Sequence, residues 1–221
     1  TIFSPMTGIC SSAIPKTYRP ARTSSAAWEG QYTGRLSDMH IRNVTRYGKD
    51  VKLIYAGEFY VSGDDEIIGT LLGSCIAVCL IDTAKGIAGM NPFMLPGKIT
   101  QLDVQNARSA KYGVTAINDL LSAMEKNGAD RRNIRAKLFG GGEVLDFEKK
   151  TTAVAENNIR LARIMMEIED IPILEEDTGG KFIRKVLLEV KTGKVFLKKS
   201  LKSGFTSEEM EIYSGHTGGE A

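Results

Sequence analysis

The sequence predicts an α+β domain, rich in strands, with a few helices on its outside. Three observations carry that expectation. Short β-branched or alternating apolar runs recur between turn residues, two longer stretches repeat apolar residues at helical spacing, and the last runs form a hairpin pattern around Thr192-Gly193.

In chain order, residues 1–34 are rich in Ser, Thr, Ala and Pro, show little apolar periodicity and carry mostly isolated basic charges, so they read as a flexible N-terminal extension. Trp28 in it is the chain's one tryptophan. The main domain is expected over 35–202. Strands are predicted at Val51 to Tyr55, Ile76 to Ile81, Ile87 to Leu95 and Ala136 to Phe139, where apolar runs are short and bounded by turn residues. Ile117, Leu120, Leu121 and Met124 fall at i, i+3, i+4 and i+7, which predicts a helix, and Gly128 is placed to stop it. A weaker helix is predicted from about Thr152 to Glu167, with Ile159, Ala162 and Met166 on one face and Arg160 and Arg163 on the polar side. Val186, Leu188 and Val190 alternate with their neighbours, Thr192-Gly193 turns the chain, and Val195 and Leu197 resume the alternation. The tail, 203–221, is polar and Gly-rich and is expected to fray.

Composition removes several function classes. The 221 residues are 42% hydrophobic and 25% charged, ordinary for one globular domain. A net charge of +2, from 29 basic and 27 acidic residues, provides no global field to attract nucleic acid, so no nucleic-acid partner is expected. No run approaches the ~20 apolar residues of a membrane span, so no membrane insertion is expected. The first thirty residues lack a basic start followed by an apolar stretch, so no secretory leader is expected. Three cysteines, Cys10, Cys75 and Cys79, are an odd and scattered set, which suits a reducing compartment and a cytoplasmic address.

Cys75 follows Gly73-Ser74 and leads into an apolar run. A strand starting at Cys75 would put Cys75, Ala77 and Cys79 on one face and Ile76, Val78 and Leu80 on the other. A cysteine at that rim, beside free backbone N–H groups, suits a nucleophile whose oxyanion needs donors. On residue statistics alone, Cys75 and Cys79 read instead as small buried hydrophobes. A metal site is not expected, because Cys75 and Cys79 lack paired ligands and His40 and His216 are distant in sequence. Gly140-Gly141-Gly142 lacks the Gly-Lys-Ser/Thr of a phosphate loop and reads as a turn or a close backbone approach. Asp177-Thr178-Gly179-Gly180 occurs once, without the second copy that a carboxylate pair needs, and reads as a turn lining a site.

Taken together, Leu72-Gly73-Ser74-Cys75-Ile76-Ala77-Val78-Cys79, Gly89-Met90-Asn91 with Phe93-Met94-Leu95-Pro96, Ala136-Lys137-Leu138-Phe139-Gly140-Gly141, and Glu176-Asp177-Thr178-Gly179-Gly180 with Arg184-Lys185-Val186 resemble the CheD family of chemoreceptor glutamine deamidases. The resemblance spans roughly Val51 to Lys199. It implies a helix-flanked β-sandwich of mixed and antiparallel strands, related to the cytotoxic necrotizing factors. It also implies a cysteine amidohydrolase, without cofactor, that converts particular glutamines of methyl-accepting chemotaxis receptors to glutamate, and a CheC-type phosphatase as a further partner. Carried over by position, Cys75 is the nucleophile, Thr70 lies at or next to the family's active-site threonine, and Gly73, Ser74 and Asn91 fall in the substrate and oxyanion region.

The sequence departs from the family at one place. The family's general base is the histidine of a Met-x-His-x-Met-Leu-Pro pattern, and here that position is Pro92. Proline takes no proton, donates no N–H, and is expected to cost a ladder hydrogen bond in a strand. An unassisted thiol of pKa about 8.5 is only a few per cent thiolate at neutral pH. His40 and His216 are the only other candidates by residue type, and Asn91 can orient a water or a carbonyl but cannot act as a base. A catalytically impaired binding or regulatory protein on the same fold is therefore the alternative reading.

Overall fold

Alternation between two differently packed faces dictates the architecture. In Ile76–Asp82 every residue is buried, and the two faces belong to different cores. Ile76, Val78 and Leu80 pack with helical residues, while Ala77, Cys79 and Ile81 pack with Ile68, Leu72, Val186 and Leu188 of another sheet. A strand buried on both faces needs a layer on each side, which a two-sheet sandwich with helices over one sheet provides.

A computed structural model describes residues 41–44, 48–95, 108–144, 150–207 and 210, all within the unit Arg35–Ala221. The strands among them are β1 (Ile41–Val44), β2 (Lys49–Leu53), β3 (Tyr60–Ser62), β4 (Ile67–Leu72), β5 (Ile76–Asp82), β6 (Ile87–Phe93), β7 (Arg135–Gly140), β8 (Ile173–Thr178), β9 (Ile183–Glu189) and β10 (Val195–Ser200). They form two five-stranded sheets, ordered β1-β2-β4-β9-β10 and β3-β6-β5-β7-β8. Most pairs are antiparallel, and β2–β4 and β7–β8 are parallel. The fold is thus α+β with a β-sandwich core of mixed pairing.

Helices α1 (Arg108–Lys126) and α2 (Lys150–Ile168) cover the outer face of the second sheet. α1 buries Ile117, Leu120, Leu121 and Met124, the stripe its spacing predicts. It stops at Gly128, whose φ of +95° is open to glycine; Gly128 N–H donates to the Glu125 carbonyl and Ala129 N–H to that of Met124, a Schellman closure. α2 buries Ala155, Ala162, Met165 and Met166, and one polar residue, Asn158, sits among them.

The hairpin forms as expected, with Val195 opposite Leu188 and Leu197 opposite Val186. Four strands were not expected: β1, β3, β4 and β8. β3 is three residues long, too short for a visible period. β4 reads Ile-Ile-Gly-Thr-Leu-Leu, an apolar run without alternation because both faces are covered. β8 is mostly exposed and carries Glu175, Glu176 and Asp177, so its pairing with β7 left no apolar signature. The extension 1–34, Cys10, Trp28, His40, Pro96 and His216 lie outside the described residues.

Candidate active site

Cys75 and Cys79 differ in environment. Cys79 is fully buried between the sheets, and burial pushes its thiol up to about 12, so it is an inert core residue. Cys75 lies one residue before β5, on the same inter-sheet face as Ala77 and Cys79, and is only partly buried. Burial raises its pKa, and hydrogen bonding from its own backbone N–H works the other way.

The turn before β5 is held by all three of its carbonyls. Gly142 N–H donates to the Gly73 carbonyl at 2.8 Å, Asn158 Nδ2 to that of Ser74 at 2.9 Å, and Gly141 N–H to that of Cys75 at 2.7 Å. Asn158, fully buried on α2, also accepts from Leu95 N–H through Oδ1 at 2.8 Å. One side chain therefore fastens the cysteine turn to the segment that follows β6. On the rim, Ser74 Oγ lies 3.6 Å from Sδ of Met94, itself 45% exposed.

The glycine run supplies two of these three donors, Gly141 and Gly142, where nothing larger fits. Gly140 has φ of +113°, and a Cβ there would lie 2.2 Å from the Cys75 carbonyl oxygen. The Asp177-Thr178-Gly179-Gly180 turn wraps the same run from outside: Gly179 N–H donates to the Gly140 carbonyl at 2.9 Å, and Glu143 N–H to that of Gly180 at 2.8 Å.

Arg184 anchors that turn. It is fully buried and donates through Nε to Asp177 Oδ1 at 2.8 Å, and through its terminal nitrogens to the carbonyls of Gly179 at 2.7 Å and Phe182 at 3.2 Å. A buried guanidinium persists only with such partners. Burial pushes the Asp177 carboxyl up, but Lys199 and Arg184 outweigh that effect and hold it below the ordinary carboxylate range.

Thr70 is 2% exposed and shares its face of β4 with Ile68 and Leu72, so it points into the inter-sheet layer from the sheet opposite Cys75. Pro92 is buried in β6 opposite Ala77, on the inter-sheet face. Extending that register by one pair sets Cys75 opposite Met94, which makes Pro92 the diagonal neighbour of Cys75, about 7–8 Å away between Cα atoms. Asn91 is on the other face: its Nδ2 donates to the Ala116 carbonyl of α1 at 3.0 Å. Cys75, Thr70 and Pro92 thus share one layer, with Gly73 and Ser74 at its rim, and Asn91 is not brought to it.

The expected loss of a ladder hydrogen bond at Pro92 does not occur. The Pro92 carbonyl accepts from Gly57 N–H at 2.8 Å, and a strand residue presents its nitrogen and carbonyl to the same side. The Pro92 nitrogen therefore faces away from β5, and β3 has already ended at the Tyr60–Met90 pair. Among the described residues, no group of three or more His, Cys, Asp or Glu is placed to hold a metal ion.

A family model described as CheD chemotactic sensory transduction matches residues 94–199. The chain is 41% identical over 162 residues to "Probable chemoreceptor glutamine deamidase CheD 2" of Chromobacterium violaceum, covering 73% of this chain and 80% of that protein. It is 36% identical over 186 residues to "Probable chemoreceptor glutamine deamidase CheD" of Janthinobacterium sp. (strain Marseille), covering 76% of this chain and 91% of that one.

The chain belongs to the CheD family.

Two residues of the site were given no role by sequence reasoning. Arg184 stands in a CheD motif segment, but its burial depends on the β4–β9 pairing, which strand patterning alone did not reveal. Asn158 did leave a signal. It occupies a core position of α2, in the stripe Ala155, Asn158, Ala162, Met165, where an apolar side chain is the default. No helix among the described residues is long and apolar enough to cross a membrane.

Proposed function

We propose that this CheD-family chain acts on glutamine side chains of methyl-accepting chemoreceptors through the thiol of Cys75. The observation that carries this reading is the partly exposed thiol at a turn whose three carbonyls are all hydrogen-bonded, on a chain whose relatives bear the name chemoreceptor glutamine deamidase. In the proposed reaction the thiolate attacks the carboxamide carbon and the oxygen takes the developing charge. The C–N bond then breaks as the nitrogen takes a proton from solvent water, and ammonia leaves. Water hydrolyses the resulting thioester, releasing a glutamate side chain and restoring the thiol. The Cys75 N–H is proposed as the donor to the oxyanion. Thr70 faces the same layer and is proposed to line the substrate site.

Pro92 favours a second reading, in which the chain binds receptors, or a CheC-type phosphatase, with little turnover. Burial raises the Cys75 pKa, and the position diagonal to it offers no proton acceptor. Incubation with a receptor cytoplasmic fragment, followed by mass spectrometry of Gln-to-Glu conversion, separates the two. Conversion supports the first reading. Stable binding without conversion supports the second, and neither binding nor conversion overturns both.

A further inference from the structure

Asn158 is the buried polar residue nearest the chemistry that the proposed reaction does not use. It sits on the apolar face of α2, fully buried, where a polar group is costly unless both ends of its amide are satisfied. Both are: the Nδ2 donor holds the Ser74 carbonyl and the Oδ1 acceptor holds Leu95 N–H. The first bond falls on the peptide that carries the Cys75 N–H. A peptide unit is planar and trans, so its carbonyl and N–H point in opposite directions. With the Ser74 carbonyl drawn toward α2, the Cys75 N–H is turned away from the helix.

We propose that Asn158 is a positioning residue, which holds the Ser74–Cys75 peptide so that the Cys75 N–H faces the space where the thiolate and the substrate oxyanion carry charge. The proposal rests on the reading of Cys75 as the nucleophile. The interaction between Cys75 N–H and its own sulfur, which lowers the thiol pKa against the effect of burial, agrees with that orientation. The Leu95 bond adds a second effect. It ties the segment after β6, which carries Met94 at the rim, to the same side chain, so turn and rim are set together.

The test reads the thiol rather than turnover, so it stands whether or not the chain deamidates. Alkylation of Cys75 by iodoacetamide is followed across pH by tandem mass spectrometry of the peptide that carries both Cys75 and Cys79, whose fragment ions assign the label to one sulfur or the other. Three variants accompany the wild type. Asn158→Asp keeps the acceptor and loses the donor. Asn158→Ser removes the amide without adding charge or bulk. Asp82→Ala loosens the far end of β5, where the carboxylate accepts from Lys85 and Asp130 N–H groups. Both Asn158 variants are expected to move the alkylation profile to higher pH, lowering the rate below the midpoint about threefold to tenfold relative to its high-pH limit. Asp82→Ala is expected to leave the midpoint in place. The proposal is overturned by an unmoved midpoint in Asn158→Ser, which would assign any Asn158→Asp effect to charge, or by an equal shift in Asp82→Ala, which would assign it to general loosening.

Discussion

Replacing Pro92 by histidine puts an imidazole where the CheD family carries its base. The β5–β6 register makes position 92 the diagonal neighbour of Cys75 on the inter-sheet face, about 7–8 Å away between Cα atoms, a gap that an imidazole and a thiol span between them. The backbone needs no rearrangement, because the Pro92 nitrogen already faces away from β5 and the Pro92 carbonyl keeps its bond from Gly57. Packing sets the cost. Position 92 is buried and histidine is the larger side chain, so a loss of about 1–3 kcal/mol is expected, which a folded domain of ordinary stability tolerates. A positioned general base contributes about 10²–10⁴-fold, so Gln-to-Glu conversion of a receptor fragment should rise by that factor. The Cys75 alkylation midpoint should fall with it, since an adjacent imidazolium favours the thiolate. A folded Pro92→His protein with neither change would refute the placement of Pro92 beside Cys75.

In the wild-type chain, burial raises the Cys75 pKa, so its alkylation rate should still be climbing at pH 8.5, while Cys79 stays protected in the folded state; a plateau by pH 8 contradicts the burial of Cys75. Gly140→Ala introduces a Cβ 2.2 Å from the Cys75 carbonyl oxygen at a φ of +113°, and should cost about 3 kcal/mol or more, read as a lower urea midpoint. Arg184→Met should cost about 3 kcal/mol, the low end for a broken buried pair because Lys199 still neutralises Asp177. The Asp177 pKa is depressed in the folded state, so its stabilisation is present above the ordinary carboxylate pKa of about 3.9 and is lost as pH falls through the lower folded value. Asp177→Asn should therefore flatten the acid limb of stability against pH, and an unchanged limb removes Asp177 from that role.

Legibility followed packing. Where one face was wet or the strand was flanked by clear turns, as in the β9–β10 hairpin, the period was visible. The two faces of β5 were legible as well, because alternation separates Ala77 and Cys79 from Ile76 and Val78 whatever covers them. β4 hid because both of its faces are apolar, and β8 because neither is. The site divides in the same way. Gly73-Ser74-Cys75 stood out by its motif, but the hold on its carbonyls comes from Gly141, Gly142 and Asn158, at least 66 positions away along the chain. Asn91 illustrates the converse. The family resemblance put it in the substrate and oxyanion region, yet one step along a strand reverses the face, and it points at α1 while Pro92 points toward the layer of Cys75.

The Cys75 sulfur is the atom that attacks in the proposed reaction. Wild type, Pro92→His and Cys75→Ala are incubated side by side with a receptor cytoplasmic fragment, and glutamate formation is located by peptide mass. Conversion at particular glutamines by Pro92→His, weaker in the wild type and absent in Cys75→Ala, is the predicted result. Conversion that persists in Cys75→Ala, or none in any of the three folded proteins, contradicts it.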